Sequence, residues 1–384
     1  MSDDNRRLTI VHTDFHRGWG GQINQVMTSC IGLQQRGHRV LLAVPEGGTP
    51  AERARAAGIT VFGDVRFRGA GKVISLLHDA WALRRLIRTE KPDVIHSHGS
   101  QDTWAVALAN KILPGGQRIP HLLTRHNTKR VRDHLFNRWL LGRLVDRLIV
   151  VAPEVLDRYR CFIERGLIDP ERVPVLPSPL RPDLLTAPPD RGKLRRELQL
   201  EDNTLLIGTV ARLVPDKGQR FLLTAAERLL VRGIDLHVVL AGDGSDTAAL
   251  QAQAAASPTL SNRVHFLGYR SDVADITAAL DLAVLPSIDC DASSGVVKEA
   301  LALGVPVVAT DIGAARAMLG DGAFGIVVPP ADSEALADAI QAVAAQRDEA
   351  RQRAVAGGIR IRQEYTVERL VLGLEAVYRE HAHP

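Results

Sequence analysis

The chain has few of the features that mark secreted or membrane-spanning proteins. Only three cysteines occur among 384 residues, at positions 30, 161 and 290, and none forms a CxxC pair. An odd number of widely spaced cysteines argues against a disulfide framework and agrees with a reducing compartment. No apolar run approaches the roughly 20 residues that a bilayer-spanning helix needs. The start, MSDDNRRLTIVHTDF, lacks the apolar core of a signal peptide, so we expect a cytoplasmic protein.

The sequence also lacks a strong excess of either charge. It has 48 Lys and Arg residues against 44 Asp and Glu residues, a net charge of +4. We therefore expect no nucleic-acid partner. A hydrophobic content of 45% and a charged content of 24% exclude the disordered and fibrous classes. The histidines are scattered along the chain and no DxD-type acid pair follows a predicted strand, so we expect neither a metal site nor a cofactor.

The length and the hydrophobic pattern predict two α/β domains. A chain of 384 residues is too long for one ordinary core. Short β-branched runs alternate with longer amphipathic stretches, a pattern typical of parallel sheets with crossover helices. The predicted strands are Leu8–His12, Val40–Val44, Ile59–Phe62, Asp93–His96, Leu122–Thr124, Leu148–Val151, Leu205–Val210, Leu236–Leu240, Val264–Leu267, Leu282–Leu285, Val305–Ala309 and Gly325–Val328.

A proline-rich segment divides the two sets of strands. PVLPSPLRPDLLTAPPDRGK, residues 174–193, contains six prolines, which cannot donate backbone hydrogen bonds. We interpret it as a linker and predict domains at 1–185 and 186–365, with a helix at 366–384 that packs back toward the first domain. Ligands of open parallel sheets bind outside the carboxyl ends of the strands, so two such sheets facing each other would form an interdomain cleft.

Two carboxylates flank a run of small residues in CDASSGVVKEALALG. Asp291 precedes the run, and Glu299 lies one turn into a helix predicted from Gly295 to Leu303, with Ser294 as N-cap. Such a helix start suits a phosphate, and the two acids could accept bonds from a sugar on each side of a diphosphate. The alternative is a surface glutamate after a turn-forming aspartate.

Two basic residues follow the first strand of the second half. Arg212 comes directly after LLIGTVA, and Lys217 comes five positions later. Both are predicted to lie at the ligand-binding end of the second sheet, where they could neutralise a diphosphate. The alternative is that they are solvated loop residues.

These segments resemble retaining glycosyltransferases of family 4, which have the GT-B fold. DASSGVVKEALALGVPVVATDIGA is similar to the E-x7-E segment of that family, and IGTVARLVPDKGQRFLLTAAERLL is similar to its GRL…KG segment. The resemblance is strong over residues 205–329 and looser before them. The sequence departs from the family pattern at Asp291, where a Glu is usual, and at Ser293-Ser294, which replace Phe-Gly.

The resemblance implies a role for each candidate residue. Arg212 and Lys217 would stabilise the departing diphosphate, so that no metal ion is required. Glu299 would hold the nucleotide ribose, and Asp291 and His126 would bracket the donor sugar. The remaining candidates are amides near Gly295 and Val296 on the diphosphate, Gly20 and Gly21 where the first loop approaches the donor, and His98 as a weaker candidate. His12 and His96 are interpreted as structural residues at strand ends.

A basic segment in the first half suggests a further contact. TKRVRDHLFNRWLLGRLVDRL, residues 128–148, combines arginines with Leu135, Phe136 and Trp139. We predict a helix over 128–145. Such a helix can lie on an anionic membrane surface, or its apolar face can pack on the sheet.

We therefore predict a retaining, metal-independent glycosyltransferase. It would move a sugar from a nucleotide-diphosphate sugar to a hydroxyl of a glycan or lipid-linked acceptor, in synthesis of cell-envelope polysaccharide, lipopolysaccharide or glycolipid. One alternative is a nucleotide-sugar epimerase of the same architecture, which needs no acceptor. Another is a non-catalytic nucleotide-sugar sensor.

Overall fold

A computed structural model describes residues 6–68, 73–112, 118–201, 203–289 and 291–382. The strands in these ranges are β1 Thr9–Thr13, β2 Arg39–Ala43, β3 Thr60–Phe62, β4 Val94–Ser97, β5 His121–Arg125, β6 Arg147–Val150, β7 Leu205–Val210, β8 Leu236–Ala241, β9 Val264–Gly268, β10 Leu282–Leu285, β11 Val307–Thr310 and β12 Ile326–Val328. The α-helices are α1 Gly21–Gln35, α2 Thr49–Ala56, α3 Val73–Glu90, α4 Ser100–Ala107, α5 Leu135–Trp139, α6 Arg160–Ile163, α7 Lys193–Glu197, α8 Gln219–Val231, α9 Thr247–Ala256, α10 Val273–Ala279, α11 Gly295–Ala302, α12 Ala315–Met318, α13 Ser333–Ala345, α14 Arg347–Glu364 and α15 Val367–His381.

The chain divides into two compact units. Unit 1 comprises residues 1–179 and 366–384, and unit 2 comprises residues 180–365. The division falls inside the proline-rich segment, six residues before the predicted end of the first domain at residue 185. In unit 2 the Leu180 amide donates to the Tyr365 carbonyl at 2.7 Å, which joins the two ends of this unit. The segment is also less irregular than predicted, because the backbone around Val175 pairs with Val150 at the end of β6.

Each unit contains one parallel sheet of six strands, as the alternating pattern predicted. The order is β3-β2-β1-β4-β5-β6 in unit 1 and β12-β11-β10-β7-β8-β9 in unit 2. In both sheets the chain moves outward from one central strand, then returns to that strand's other side and moves outward again. This arrangement makes each unit Rossmann-like, with its topological switch point between β1 and β4 or between β7 and β10.

The helix predicted over the basic segment and the short helix α2 are two places where the structure differs from the prediction. The predicted helix over 128–145 is wrong in its first half, because residues 128–134 are not helical. Helix α5 begins only at Leu135 and continues as a wider π-helical turn from Leu140 to Leu144. Helix α2 was not predicted; it is short, three of its eight residues are charged, and Thr49-Pro50 opens it.

The final helix completes the core of unit 1. Leu370, Val371, Leu374, Val377 and Tyr378 of α15 are buried in one cluster with apolar residues of α1 and of the central strands. Because α15 follows all of unit 2 in sequence, unit 1 is assembled from both ends of the chain.

Two adjacent glycines let helices α11 and α14 pack closely in unit 2. A Cβ atom added at Gly358 would lie 2.2 Å from the Leu301 carbonyl oxygen, and one added at Gly357 would lie 2.8 Å from the Phe324 Cβ. Backbone atoms cannot move aside as a flexible side chain can. The contact therefore fixes the position of α11, which carries part of the candidate site described below.

Two of the cysteines can be described, and neither is in a disulfide. Cys30 is buried and Cys161 is half-buried, and both are free thiols. Cys290, the third, lies outside the described residues. No helix in the described ranges combines the length and the apolar character that a bilayer crossing requires.

We predict that Gly358→Ala destabilises the protein although alanine favours helices. The new methyl group would press on the Leu301 carbonyl, and overpacking of this kind costs about 1–3 kcal/mol. Thermal and urea unfolding would measure the loss. Gly21→Ala is the control, since a Cβ there meets no atom within 4 Å. If both variants were as stable as the wild type, the close approach of α11 and α14 would be refuted.

Candidate functional site

The loops that follow β7 and β10 form the centre of the candidate site in unit 2. These strands are neighbours, and both end at the same edge of the sheet. The first loop carries Arg212 and Lys217, and the second carries Asp291 and leads into α11. The topology thus brings together residues that are up to 87 positions apart in sequence, from Arg212 to Glu299.

Backbone contacts hold the two loops together. The amide of Ile288 donates to the Asp216 carbonyl at 2.9 Å. Gly218, with φ of +64°, lies so close to the second loop that an added Cβ would be 2.1 Å from the Pro286 carbonyl oxygen. Both the left-handed backbone and the close approach require glycine here. Lys217 is therefore held beside the second loop by its neighbours on either side.

Lys217 and Asp291 form a largely buried ion pair. The Lys217 Nζ lies 2.6 Å from Asp291 Oδ2, and the Ser287 hydroxyl donates to the same oxygen at 3.0 Å. The side chains of the lysine and the aspartate are 18% and 8% exposed. The structure thus joins two predicted site residues directly. Ser287, which sequence reasoning missed, belongs to the same group.

Arg212 stays available for a ligand. Its side chain is exposed, and across the described parts of the chain the guanidinium has neither a hydrogen bond nor an ion pair. Its backbone is nevertheless fixed, because the Gln219 side chain donates to the Arg212 carbonyl at 2.9 Å. A positioned cation without a protein partner can bind an anion without first losing an existing contact.

The start of α11 presents a helix end that its own side chains leave uncapped. Ser294 occupies the N-cap position, but the prediction that it caps the helix is wrong for its side chain: the hydroxyl is buried and has no hydrogen-bond partner. Gly295 is exposed and Val296 is buried. A Cβ added at Gly295 would meet only the Glu299 carboxylate, at 3.6 Å. The first amides of the helix, which lack intrahelical acceptors, thus have open space at Gly295.

Glu299 lies one turn further along α11 in an unusual electrostatic setting. Burial raises the pKa of its carboxyl to about 7, and the nearby charges of Arg181 and Lys298 oppose this rise. Burial also lowers the pKa of Lys298 to about 8. The Lys298 Nζ lies 3.3 Å from the Ser293 hydroxyl. Sequence reasoning missed Arg181 and Lys298, although the lysine directly precedes Glu299.

In unit 1 the candidate glycines follow β1. Gly20 precedes α1 and Gly21 is its first residue. Gly20 has an extended backbone that any residue can adopt, and an added Cβ at either position would meet no atom within 4 Å. Neither the turn nor the packing of the described residues requires glycine at these two positions.

Several histidines of unit 1 that are scattered along the sequence lie together in the structure. His126 bonds to His98, and His98 in turn bonds to His12, both at 2.9 Å. One ring nitrogen from each of His12, His96 and His98 lies within 4.8 Å of the other two, a spacing that could hold a metal ion. Both ring nitrogens of His126 are engaged, the second by Gln25 at 3.2 Å.

Two buried aspartates hold the surrounding loops. Asp14, after β1, accepts hydrogen bonds from the His16 amide at 2.8 Å and from the Gln22 side chain at 2.8 Å. Asp102, on α4, accepts from the Thr13 hydroxyl at 2.8 Å and from the His98 amide at 2.9 Å. Burial raises the pKa of Asp102 to about 7. These contacts join the ends of β1 and β4, the two strands at the switch point.

Comparison with protein families identifies both units. Residues 19–184 match the model described as Glycosyltransferase Family 4, and residues 204–346 match the model described as Glycosyl transferases group 1. Both units therefore carry glycosyltransferase domains. The second match contains every candidate residue of unit 2 named in the sequence analysis, and the first contains Gly20, Gly21, His98 and His126.

Solved structures and curated relatives agree with these glycosyltransferase domains. A glycosyltransferase from Rickettsia africae superimposes with a TM-score of 0.84 at 19% identity, covering 97% of this chain and 98% of that one. The Anabaena protein HepE, solved in complex with UDP-glucose, gives 0.81 at 22% identity, covering 97% and 99%. The Escherichia coli UDP-Gal:alpha-D-GlcNAc-diphosphoundecaprenol alpha-1,3-galactosyltransferase is 26% identical over 278 residues, 70% of this chain and 71% of that protein. The fold is thus GT-B.

We predict that Glu299→Gln changes how the stability of the glycosyltransferase depends on pH. The folded-state pKa of about 7 exceeds the ordinary glutamate value of 4.5. The raised pKa of Glu299 therefore stabilises the folded state in full below the unfolded pKa, and this contribution is lost as the pH rises through 7. We compare the free energy of unfolding of the variant with that of the wild type. This difference should shift in favour of the variant by about 1–3 kcal/mol when the pH is raised from about 5 to about 8.

Urea unfolding at the two pH values measures this difference. Glu349→Gln, at an exposed position of α14, controls for the loss of one carboxylate. A difference between wild type and Glu299→Gln that stays constant with pH would contradict the assignment.

Proposed function

We propose that this protein transfers a sugar from a nucleoside-diphosphate sugar to an acceptor hydroxyl. The observation that carries the proposal is the guanidinium of Arg212, which has no partner among the described residues. It lies on the same loop as Lys217, whose ammonium pairs with Asp291, at the switch point of unit 2. A second anion-binding element, the uncapped start of α11, follows the adjacent strand. The cations and the helix amides together match the charge of a diphosphate leaving group.

Lys217 and Arg212 have different roles in this proposal. Arg212 binds the diphosphate as a free, charge-assisted donor. Lys217 is already neutralised by Asp291, so it acts as a fixed donor whose position Asp291 and Ser287 determine. Donors that are in place before the reaction stabilise the charge that develops as the glycosidic bond breaks, at no cost of reorganisation.

Glu299 is proposed to bind the ribose of the nucleotide. A ribose diol offers both hydroxyl donors and hydroxyl acceptors. With a pKa of about 7, Glu299 is present in both protonation states near neutral pH and can pair with either.

The reaction is proposed to proceed with retention of configuration and without a metal ion. Support comes from the resemblance to retaining family 4 enzymes and from Asp291, whose Oδ2 is engaged by two protein donors and does not serve as a free nucleophile. Departure of the diphosphate and attack of the acceptor on the same face of the sugar fit this arrangement. Gly20, Gly21 and His126 are proposed ligand contacts of unit 1.

The acceptor is proposed to be a glycan or a lipid-linked glycan of the cell envelope, used at the cytoplasmic face of the membrane. The E. coli relative is named for a diphosphoundecaprenol acceptor. In this chain, Leu135, Phe136 and Trp139 of α5 are 76%, 68% and 44% exposed. The exposed side chains of Arg130 and Arg132 precede them. Exposed apolar groups next to bases suit an anionic lipid surface.

We predict that Arg212→Ala weakens the binding of UDP. Loss of one charge-assisted hydrogen bond of about 1.5–3 kcal/mol raises Kd roughly 10- to 100-fold. Isothermal titration calorimetry with UDP, GDP and their sugars, in the presence of a chelator, measures the change and tests whether a metal is needed. Arg88→Ala, at an exposed position in the last turn of α3, is the matched control. Equal UDP affinities in the Arg212 variant and the wild type would refute the phosphate assignment.

Turnover distinguishes transfer from the alternatives. Incubation with a nucleotide sugar and a lipid-linked or soluble glycan acceptor should release nucleoside diphosphate, and NMR of the product should show the anomeric configuration of the donor. Conversion of the donor to an epimer without an acceptor would indicate an epimerase. Tight binding with neither transfer nor donor hydrolysis would indicate a sensor.

We predict that replacing Leu135, Phe136 and Trp139 together by Ser reduces membrane binding. The variant should co-sediment several-fold less with vesicles of phosphatidylglycerol and phosphatidylcholine, because the apolar contribution to interfacial binding is lost. UDP affinity should be unchanged. A triple Ser variant at the exposed Val231, Val355 and Ile359 controls for surface apolarity. Equal co-sedimentation of both variants would contradict the proposed contact.

A further inference from the structure

A continuous line of buried imidazoles runs through unit 1 from the candidate ligand contact His126. His126 Nε2 lies 2.9 Å from His98 Nδ1, and His98 Nε2 lies 2.9 Å from His12 Nδ1. His12 is fully buried and His98 is 5% exposed. His126 is half-buried, so solvent reaches this line at the His126 end.

The line continues beyond His12 through a tyrosine. His12 Nε2 lies 3.3 Å from the Tyr378 hydroxyl, which lies 2.6 Å from His96 Nδ1. His96 Nε2 ends the line at the Thr124 hydroxyl, 2.7 Å away. We call the linked side chains of Gln25, His126, His98, His12, Tyr378, His96 and Thr124 the imidazole chain.

The strand geometry explains why these side chains meet. Side chains two residues apart on a strand point to the same face of the sheet. His12 is paired directly with His96 across β1 and β4. Thr124 ends the chain from β5, and Tyr378 closes it from α15. Three neighbouring strands, the loops that follow them and the helices α1 and α15 therefore supply the members of the chain.

A single set of tautomers satisfies every link. Gln25 Oε1 is an acceptor, so His126 must carry its proton on Nδ1 and accept at Nε2. His98 must then donate from Nδ1, and the same logic assigns Nδ1–H to His12. The Tyr378 hydroxyl donates to His12 and accepts from His96 Nδ1–H, and the Thr124 hydroxyl donates to His96. All four imidazoles are then neutral and fully hydrogen-bonded.

Two other arrangements are conceivable, a chain of hydrogen bonds in the opposite direction and a bound metal ion, and each would require hydrogen bonds of the chain to change. The opposite direction of the chain requires the Gln25 amide to turn over and the Thr124 hydroxyl to become an acceptor. A metal ion on His12, His96 and His98 would need three lone pairs that the chain already uses. These three histidines lie close enough together to hold a metal ion, but all of their ring nitrogens are already in hydrogen bonds.

We propose that the buried members of the imidazole chain are positioning residues that hold His126 neutral with its proton on Nδ1. The Gln25 link, at 3.2 Å, is the longest contact His126 makes in the chain. A hydroxyl of a sugar ligand then takes the place of Gln25 as acceptor. This last step rests on the proposed glycosyl transfer; the assignment of the tautomers does not.

Burial supports the neutral state along the chain. It lowers the pKa of His12 to about 3 and that of His126 to about 4. It also lowers the pKa of His96 and His98 well below the usual value. The charged or titratable groups that face the chain are Asp14, His16, Cys30, Asp102, His121 and Arg125.

Long-range ¹H–¹⁵N NMR of the ring nitrogens tests the tautomers directly. In the wild type near neutral pH, all four histidines should show a protonated Nδ1 and an unprotonated Nε2. Tyr378→Phe removes one hydroxyl while keeping the ring, so His12 loses its hydrogen-bond donor. His126, which is three links from Tyr378, should then become a mixture of tautomers. Tyr159→Phe, a change at a buried tyrosine outside the chain, should leave the four signals unchanged.

Kinetics provide a second readout. Tyr378→Phe and His98→Leu should lower kcat about 2- to 10-fold with little change in KM for the donor, as expected for the loss of one neutral hydrogen bond. His98→Asn keeps a side-chain N–H near the position of Nδ1, so it should recover most of the lost rate and restore the His126 tautomer.

Any of three results would overturn the inference. The first is a wild-type His126 that carries its proton on Nε2, and the second is a His126 tautomer that stays the same in both Tyr378→Phe and His98→Leu. The third is binding of Co²⁺ or Zn²⁺ by the wild type but not by His96→Gln. If the tautomers are as assigned but no nucleotide sugar is turned over, the positioning role stands and the proposed function fails. If transfer occurs with an Nε2-protonated His126, only the positioning role fails.

Discussion

The parallel strands of each unit end at one edge of their sheet, and the candidate chemistry depends on this constraint. At the switch point, the connections after two neighbouring strands run to opposite sides. A crevice therefore forms at the ends of these strands, and a ligand can bind there. In unit 2 these loops follow β7 and β10 and are tied together through Asp216 and Ile288. This tie places Lys217 against Asp291, whereas the Arg212 guanidinium has no partner in the part of the chain that the structure describes.

The second recurring feature is how buried polar groups are satisfied. A buried charge or imidazole without a partner costs free energy, so each one in the described structure constrains its neighbours. Asp291 is held by Lys217 and Ser287, and the buried histidines of unit 1 are held by one another and by Tyr378. Groups that are fixed in this way need little rearrangement when a ligand binds, which is the condition for electrostatic stabilisation of a leaving group.

Much of this arrangement was predictable from local patterns. The alternation of β-branched runs and amphipathic stretches predicted all twelve strands described here. A parallel sheet requires a crossover helix between successive strands, so its sequence alternates between strand and helix patterns. The residues after β7 and β10 were recognised as a candidate site by their position after strands. The helix over 128–145 was predicted wrongly, because its apolar residues match a helical period although several of them are exposed and residues 128–134 are not helical.

The sequence by itself determined the fold class, the order of the strands along the chain and the candidate residues Arg212, Lys217, Asp291 and Glu299. Only the tertiary structure decided which of them touch. The Lys217–Asp291 pair joins residues 74 positions apart, and His96 meets Tyr378 across 282 positions. Hydrophobic periodicity reports which face of an element is buried, whereas the partner of a buried polar group depends on sheet order and register, which no local pattern contains.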